Sequence, residues 1–283
     1  MSKIVIVCDS TGSIPENQQK ELNIYSSYLS ILFGTDSYRE FKDITPEQFV
    51  KRCEEHPELP TTSQPTPGTL IELYESLLEQ GYEHVVHITL SRQLSGSYQT
   101  AVTSAGMVDS EKIHVFDSKT VAFTQGMFAI NAAKKVQAGA TLEEVLSYLE
   151  MLRENNEFYA AIKDLTNLQK GGRLSNIEAR LGSLLQIKPI ARIQLDGTLQ
   201  PEEKIRTFKK SLKRLVEIAT EANLNEDYQL AVMHIANRGD AKFVQEELQS
   251  IYPKLEVTIQ DISLVVAVHG GPGGVAVGWV KKR

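Results

Sequence analysis

The stretch HVVHITLSRQLSGSYQTAVTSAGM, residues 84–107, decides the fold. Its first seven residues form an apolar run rich in β-branched side chains, which predicts a strand, whereas SYQTAVTSAGM predicts a helix. A short polar turn joins the two. Strands that pass through a turn into a helix are the units from which parallel sheets are built. The stretch therefore predicts a parallel α/β sheet with polar side chains at a strand's carboxyl end.

The same order of strand and helix occurs on both sides of this stretch. KIVIV and KIHVF predict further strands, and PENQQKEL and AFTQGMFAINAAKKVQ predict helices. Thr45 with Pro46 and Gln48 forms a helix start, and Thr141 with Glu144 matches a capping box. We predict a Rossmann-like parallel-sheet domain over residues 1–155.

The pattern changes after the polar segment MLRENNEF. QIKPIARIQL and TLQPEEKI flank Asp196-Gly197, a dipeptide typical of hairpin turns, so we expect antiparallel pairing to begin here. YQLAVMHIA, KLEVTIQ and GGVAVGWV predict strands, while TFKKSLKRLVEIATEA and DAKFVQEELQSI predict amphipathic helices. We predict a C-terminal α/β domain with a mixed or antiparallel sheet over residues 156–283.

Composition argues against several classes of protein. The net charge of -6 argues against binding to a nucleic-acid backbone. The two cysteines, Cys8 and Cys53, lack metal-ligand spacing and indicate a reducing cytoplasm. His269 and a glycine cluster interrupt the longest apolar stretch, so we expect no stable membrane insertion. Because no common nucleotide-binding, nucleophile-elbow or zinc motif occurs, we expect no cofactor, no metal and no catalytic residue.

Hydroxyl side chains follow three of the predicted parallel strands. They lie in Asp9-Ser10-Thr11, in Ser91–Ser97 and in Asp117-Ser118, and PTTSQPTPGT at residues 60–69 adds five hydroxyls among three prolines. Each of these residues alone is typical of a helix cap or a turn. Parallel strands end at one edge of a sheet, however, where helix N–H groups and hydroxyls together suit a carboxylate or a phosphate. The sequence therefore favours binding an anion over transforming it.

Ser95-Gly96-Ser97 is the most specific part of this pattern. Gly96 allows the main chain to approach a ligand closely, and both serines can donate hydrogen bonds. His269, in VVAVHGGPGG, could face the same pocket from the C-terminal half, although a lone histidine is more often a structural hydrogen-bond partner. An alternative stays open, in which a hydrolase or transferase uses Ser95 as nucleophile and His269 as base on a small anionic substrate. A third hypothesis is a regulatory protein that senses a ligand.

Two basic segments stand outside this pocket. LQKGGRLS places Lys170 and Arg173 around a glycine pair before NIEARLGSLL, and it is equally typical of a solvated loop. Basic residues also cluster around TFKKSLKR, although charge runs of this kind usually form a solubilising helix face. The cluster comprises Arg206, Lys209, Lys210, Lys213 and Arg214.

Seven motifs together resemble the DegV family, fatty-acid-binding proteins that include the FakB subunits of bacterial fatty acid kinase. In chain order the motifs are VCDSTGSIP, TTSQPTPG, SRQLSGSYQTA, VFDSKTV, KGGRLS, LLQIKPI and HGGPGGVAVGW. The resemblance covers nearly the whole chain. It departs from the common pattern at Ser97, where many members have threonine, and at Thr124, where the family often has glycine.

The resemblance implies a two-domain α/β carrier protein with a long-chain fatty acid between its domains and the acyl tail in an apolar tunnel. It places the acid's carboxylate at Thr62 and Ser95, with further contacts from Thr61, Ser63, Gly96 and His269. In the FakB branch a separate ATP-dependent kinase phosphorylates the bound acid, and Arg173 and Arg206 match partner contacts. The chain itself is then a carrier without kinase activity.

Overall fold

A computed structural model describes residues 3–56, 58–173 and 187–282. Contacts divide the chain into two compact units. Unit 1 comprises Met1–Glu154 with Ser263–Val265, and unit 2 comprises Asn155–Ile262 with Val266–Arg283. The last two residues of the basic segment LQKGGRLS, the segment NIEARLGSLL that follows it and the first residue of QIKPIARIQL lie outside the described residues.

Strands and helices alternate through much of unit 1. Its strands are β1 (Ile4–Asp9), β2 (Ile24–Ser27), β3 (Ser30–Phe33), β4 (Asp36–Arg39), β5 (Thr61–Ser63), β6 (His84–Thr89) and β7 (Ile113–Asp117). Its helices are α1 (Glu16–Leu22), α2 (Pro46–Glu55), α3 (Pro67–Glu79), α4 (Ser97–Val108), α5 (Ala122–Gln137) and α6 (Leu142–Glu154), and a 3-10 turn covers Ser10–Gly12.

The main sheet of unit 1 is parallel, with the strand order β2-β1-β6-β7. All six residues of β1 are buried, which explains why its sequence is an apolar run and not an alternating pattern. Side chains of β1, β6, α3 and α4 form one core cluster, in which Val7, Val85 and Leu77 are fully buried. The predicted α/β class of this half is confirmed.

The predicted helix starts in unit 1 are also confirmed. At α2 the Thr45 hydroxyl accepts the Gln48 N–H at 3.3 Å, and the Gln48 side chain accepts the Thr45 N–H at 2.9 Å. Thr141 and Glu144 make the same reciprocal pair at the start of α6. These bonds satisfy N–H groups that a helix cannot pair internally.

Unit 1 also contains a small antiparallel sheet, with the order β4-β3-β5. The prediction that antiparallel pairing begins only in the C-terminal half is therefore wrong. These strands have three or four residues each, and in β3 only Ile31 and Phe33 are buried. So short an alternation gives little signal in the sequence.

Unit 1 includes Ser263–Val265, which the sequence analysis assigned to the C-terminal domain. The fully buried carboxylate of Glu40 accepts a hydrogen bond from the Ser263 hydroxyl at 2.8 Å and one from the Val265 N–H at 3.1 Å. The Ser10 hydroxyl also donates to Glu40, at 2.7 Å. A buried carboxylate needs such donors, and Glu40 takes two of them from this distant segment.

Unit 2 has a six-stranded sheet with the order β10-β9-β8-β13-β11-β12. Its strands are β8 (Asn156–Ala161), β9 (Ile190–Ile193), β10 (Leu199–Glu203), β11 (Tyr228–His234), β12 (Val257–Asp261) and β13 (Val275–Lys281). Its helices among the described residues are α7 (Thr166–Gly171), α8 (Phe208–Glu221), α9 (Arg238–Ile251) and α10, which begins in unit 1 (Leu264–Gly270).

Pairing in this six-stranded sheet is antiparallel except between β11 and β12, which confirms the predicted mixed sheet. The predicted hairpin is β9–β10, and Gly197 in its turn has a φ of +89°. No helix in the part of the chain that the structure describes is long and apolar enough to cross a membrane.

Candidate functional site

The loop that follows β6 is fastened to the strands on both sides of it. The Leu90 N–H donates to Asp9 Oδ2 at 3.0 Å, and the Arg92 N–H donates to Asp117 Oδ1 at 3.2 Å. Asp9 ends β1 and Asp117 ends β7. The three predicted strand ends therefore meet at one edge of the sheet, as we expected.

Several of the polar side chains at this edge bond only to their protein neighbours in the described residues. The Ser10 hydroxyl accepts the Leu29 N–H at 3.0 Å in addition to bonding Glu40. Thr11 donates to Gln125 Oε1 at 2.8 Å, and both side chains are fully buried. These are long-range contacts and not the helix-cap or turn bonds that are typical of such residues.

Ser95-Gly96-Ser97 has a different environment, because it forms the start of α4. The Ser95 hydroxyl lies 3.0 Å from the Ser97 hydroxyl and accepts the Ser97 N–H at 3.2 Å. When Ser97 is the donor in the hydroxyl pair, the Ser95 proton is available to a ligand. Gly96 is an exposed residue, and its N–H has no hydrogen-bond partner in the described parts of the chain. Two neutral donors therefore stand side by side.

The side-chain partners of Ser95 bear on the enzyme hypothesis. Within the described residues both partners are atoms of Ser97, and neither is a base that could remove the Ser95 proton. A serine nucleophile needs such a base within hydrogen-bond reach.

The TTS segment is held by strand pairing as well as by its prolines. In β5, Thr61, Thr62 and Ser63 pair with Leu32, Ile31 and Ser30 of β3. Thr62 is half-buried, whereas Thr61 and Ser63 are exposed. Pairing with β3 therefore restrains this segment in addition to the neighbouring Pro60 and Pro65.

Gln64 connects the TTS segment to the SGS segment. Its Nε2 donates to Thr100 Oγ1 of α4 at 2.7 Å. Its amide lies so close to Gly96 that a Cβ added there would be 2.2 Å from Gln64 Oε1. Thr62 precedes Gln64 by two residues and Ser95 directly precedes Gly96, so the two predicted carboxylate contacts lie on segments that touch.

Sequence reasoning did not single out Gln64, although it lies inside the quoted motif TTSQPTPG. Gln64 is a long polar side chain next to hydroxyl-bearing residues, but its contact with Gly96 is apparent only in the structure. We expected Gly96 to allow a ligand to approach the main chain, and in the structure the group that approaches it is the Gln64 amide.

His269 lies in unit 2, in the last turn of α10. Burial, and to a lesser extent the nearby Arg173 charge, lowers the pKa of His269 to about 4. Its ring packs on Gly171, where an added Cβ would lie 2.4 Å from Nδ1. The imidazole is therefore neutral near pH 7 and rests on a glycine of the predicted KGGRLS motif.

The two predicted partner-contact arginines are both in unit 2. Arg173 Nη1 donates to the Gly171 carbonyl at 2.7 Å, and Arg206 is exposed just before α8. Of the basic cluster, Arg214 is occupied by ion pairs with Glu203, Glu217 and Glu221. The remaining members are exposed: Arg206, Lys209, Lys210 and Lys213.

Comparison with known proteins accounts for the whole chain. Residues 3–282 match the family described as "Uncharacterised protein, DegV family". A DegV domain-containing protein of Listeria innocua is 36% identical over 278 residues, which cover 98% of each chain. The solved structure of DegV, a fatty acid binding protein from Bacillus subtilis, has a TM-score of 0.91 at 34% identity, with 99% of this chain and 100% of that chain covered.

A fatty acid binding DegV family protein from Streptococcus agalactiae gives a TM-score of 0.92 at 29% identity, with both chains covered completely. The motifs, the two-unit α/β fold and these matches agree along the full length. The chain belongs to the DegV family.

Proposed function

We propose that this protein binds a long-chain fatty acid, with the carboxylate held by neutral donors of unit 1 and the acyl tail in an apolar tunnel. One observation carries the proposal: the unpartnered Gly96 N–H and the Ser95 hydroxyl lie on a segment that Gln64 joins to Thr62. The fatty-acid binding of the two structurally similar DegV proteins supports the same ligand class.

Thr62, Ser95 and the Gly96 N–H are the principal carboxylate contacts in this proposal. Thr61, Ser63 and His269 are further contacts suggested by the family motifs. Hydroxyl and N–H donors can satisfy the lone pairs of a carboxylate without a salt bridge. A ligand held in this way keeps its negative charge and its nucleophilic oxygens.

The acyl tail supplies most of the affinity. Burial of each methylene is worth about 0.8 kcal/mol, so a chain of about sixteen carbons has a gross driving force near 12 kcal/mol before the costs of binding. The polar end then fixes the orientation of the acid. Loss of one head-group contact should therefore weaken binding without abolishing it.

We propose further that the protein acts in the cytoplasm of a bacterium and presents the acid to a separate ATP-dependent kinase. The kinase would transfer a phosphoryl group to a carboxylate oxygen, and acyl-phosphate would feed phospholipid metabolism. Arg173 and the exposed Arg206 are the proposed kinase contacts. The chain contributes binding and orientation, and catalysis belongs to the partner.

The ligand can be tested directly by mass spectrometry of lipid extracted from the purified protein. We expect a long-chain acid in the wild type and lower occupancy in Thr62→Ala and Ser95→Ala. Thr103→Ala is the matched control, because it removes an exposed hydroxyl of α4 that accepts a long hydrogen bond from Gln99, at 3.5 Å. Equal occupancy in all four proteins would refute the head-group assignment.

The partner can be tested with a purified bacterial fatty acid kinase. Arg206→Glu should weaken complex formation and acyl-phosphate production while lipid occupancy stays at the wild-type level. Lys254→Glu makes the same charge change at an exposed position of unit 2, where Lys254 Nζ lies 4.0 Å from Glu226 Oε1. If both variants bind the kinase like the wild type, the proposed contact is wrong.

A further inference from the structure

Three buried side chains form a hydrogen-bonded chain beneath the loop that carries Ser95. The Tyr74 hydroxyl lies 2.6 Å from His87 Nδ1, and His87 Nε2 lies 3.2 Å from Asp9 Oδ1. Tyr74 and His87 are 0% exposed and Asp9 is 1% exposed. Polar groups at such depth need partners, and each of these has one.

One proton arrangement satisfies the whole chain. The Tyr74 hydroxyl donates to His87 Nδ1, and the His87 Nε2–H donates to Asp9. Burial, followed by the charge of Asp9, raises the pKa of Tyr74 above its ordinary value, so the phenol stays protonated as a donor. The tautomer of His87 is then set by Tyr74, and the orientation of Asp9 is set by His87.

The second oxygen of Asp9 reaches the proposed binding site through the main chain. Oδ2 accepts the Leu90 N–H at 3.0 Å, and the polypeptide from Leu90 to Ser95 is a single loop. The Ser95 N–H in turn donates to the Ser91 carbonyl at 3.2 Å. The position of Asp9 therefore fixes the start of the segment that presents Ser95 and Gly96.

We propose that Asp9, His87 and Tyr74 are positioning residues for the carboxylate-binding loop. Asp9 accepts the Leu90 N–H, His87 hydrogen-bonds to Asp9, and Tyr74 hydrogen-bonds to His87. The inference rests on the proposed fatty-acid function and deepens it by assigning the group that orients its head-group donors. None of the three side chains touches the ligand.

Positioning and simple structural support predict different binding results. Hydrogen bonds are directional, so a displaced loop loses carboxylate contacts while the tail contacts remain. A fatty alcohol with the same tail depends less on those donors than the acid does. Positioning residues should therefore alter the ratio of acid affinity to alcohol affinity, whereas a loss of folded protein lowers both affinities by one factor.

The test uses delipidated full-length protein, one long-chain acid and the alcohol of the same length. Asp9→Ala should lower acid affinity about tenfold and leave alcohol affinity within about twofold. Asp9→Asn keeps an acceptor oxygen for the Leu90 N–H, and its amide N–H can donate to His87 Nε2 when the ring proton moves to Nδ1 and the Tyr74 hydroxyl becomes the acceptor. It should therefore retain acid affinity within about threefold of the wild type.

Asp109→Ala is the matched control. Asp109 Oδ1 accepts the N–H groups of Glu111 and Lys112 at 3.0 and 3.2 Å, in the loop that leads into β7. Its loss should lower the unfolding midpoint without changing the acid-to-alcohol ratio. Tyr74→Phe, which keeps the ring, serves if Asp9→Ala does not fold, and it should lower the ratio in the same direction.

The outcomes separate this inference from the proposed function. Wild-type protein that binds neither ligand would refute fatty-acid binding itself. Wild-type protein that prefers the acid, together with an unchanged ratio in Asp9→Ala and Tyr74→Phe, would overturn only the positioning role. An equal loss in Asp9→Asn and Asp9→Ala would also overturn it, because the asparagine keeps the acceptor.

Discussion

Replacing Gly96 with alanine separates the stability of the fold from its capacity to bind an acid. The new Cβ would lie 2.2 Å from Gln64 Oε1 and 2.9 Å from Gln64 Cδ and Nε2. Carbon cannot approach another heavy atom so closely, and Gln64 has the flexible side chain of the two. Gln64 must therefore move and break its 2.7 Å bond to Thr100.

Two opposing effects determine the stability of Gly96→Ala. Loss of the Gln64–Thr100 bond costs about 1 kcal/mol. Gly96 has φ −74° and ψ 1°, which alanine adopts without strain. Because alanine also lowers the conformational entropy of the unfolded chain, the substitution should add about 0.4–1 kcal/mol to the free energy of unfolding. We expect the free energy of unfolding to stay within about 1 kcal/mol of the wild type.

Acid binding should respond much more strongly. The methyl group occupies the space beside the Gly96 N–H, and the displaced Gln64 no longer joins β5 to α4. We expect acid affinity to fall about tenfold or more, measured by competition with a fluorescent fatty acid on delipidated protein. Urea unfolding followed by circular dichroism supplies the stability measurement.

The chain offers a matched control and a cycle for this prediction. Gly106 lies in the same helix with nothing within 4 Å of an added Cβ, so Gly106→Ala should stabilise by about 0.5–1 kcal/mol and leave binding unchanged. Adding Gln64→Ala to Gly96→Ala removes the clash and should show a coupling near 1 kcal/mol. A loss of more than about 2 kcal/mol, or wild-type acid affinity, in Gly96→Ala would refute the reasoning.

Three other perturbations have defined outcomes. Gly126→Ala should lower the free energy of unfolding by about 1–3 kcal/mol, because its Cβ would lie 2.2 Å from the Gly12 carbonyl oxygen and a backbone atom cannot move away as a flexible side chain can. An unchanged midpoint in urea unfolding would contradict this packing. The pKa of His269 is depressed to about 4, so below pH 6.5 the unfolded state takes up a proton that the folded state refuses. Stability should accordingly fall by roughly 3 kcal/mol between pH 6.5 and 4, and His269→Gln should flatten that part of the pH profile. Glu40→Gln replaces a carboxylate oxygen by an amide NH₂ group that faces hydroxyl and N–H donors, so the free energy of unfolding should fall by about 1–3 kcal/mol. Wild-type stability in this variant would mean that the fold does not depend on both carboxylate oxygens as acceptors.

Long elements with a strong pattern could be predicted from the sequence. The segment AFTQGMFAINAAKKVQ coincides with α5, because its sixteen residues contain no proline and only one glycine and therefore favour a helix. The strands β1, β6 and β7 are apolar runs, because a parallel sheet buries both faces. By contrast β3, β4 and β5 exist because they pair with one another, and no single strand shows this.

The site was predictable as a region but less so in its details. The order of strands and helices correctly indicates that the ends of β1, β6 and β7 lie at one edge, but it does not indicate which hydroxyls there have partners within the protein. Ser10 is satisfied by Glu40, thirty residues away, and Thr11 by Gln125, 114 residues away. Such pairings arise only when the chain folds back on itself, so Ser10 and Ser95 look alike in the sequence.

Thr124 shows the same limit for a departure from the family pattern. Its side chain is fully buried where the family often has glycine, and its hydroxyl donates to the Val121 carbonyl at 2.8 Å. The Thr120 hydroxyl lies 2.6 Å away as a second partner. A buried hydroxyl with two local partners costs little, which explains in physical terms why α5 accepts threonine here.

The edge of the parallel sheet carries two aspartates, which would repel an anionic ligand if their carboxylates faced it. Asp9 instead accepts Leu90 N–H and faces His87, while Asp117 accepts the N–H groups of Arg92 and Lys119. Backbone donors thus engage the acidic oxygens and hold the loop that displays the neutral donors Ser95 and Gly96. Both carboxylates therefore have hydrogen-bond donors of the protein as partners. If the proposed function is correct, the carboxylate of the acid would be held by neutral donors, and its oxygens would stay available for phosphoryl transfer.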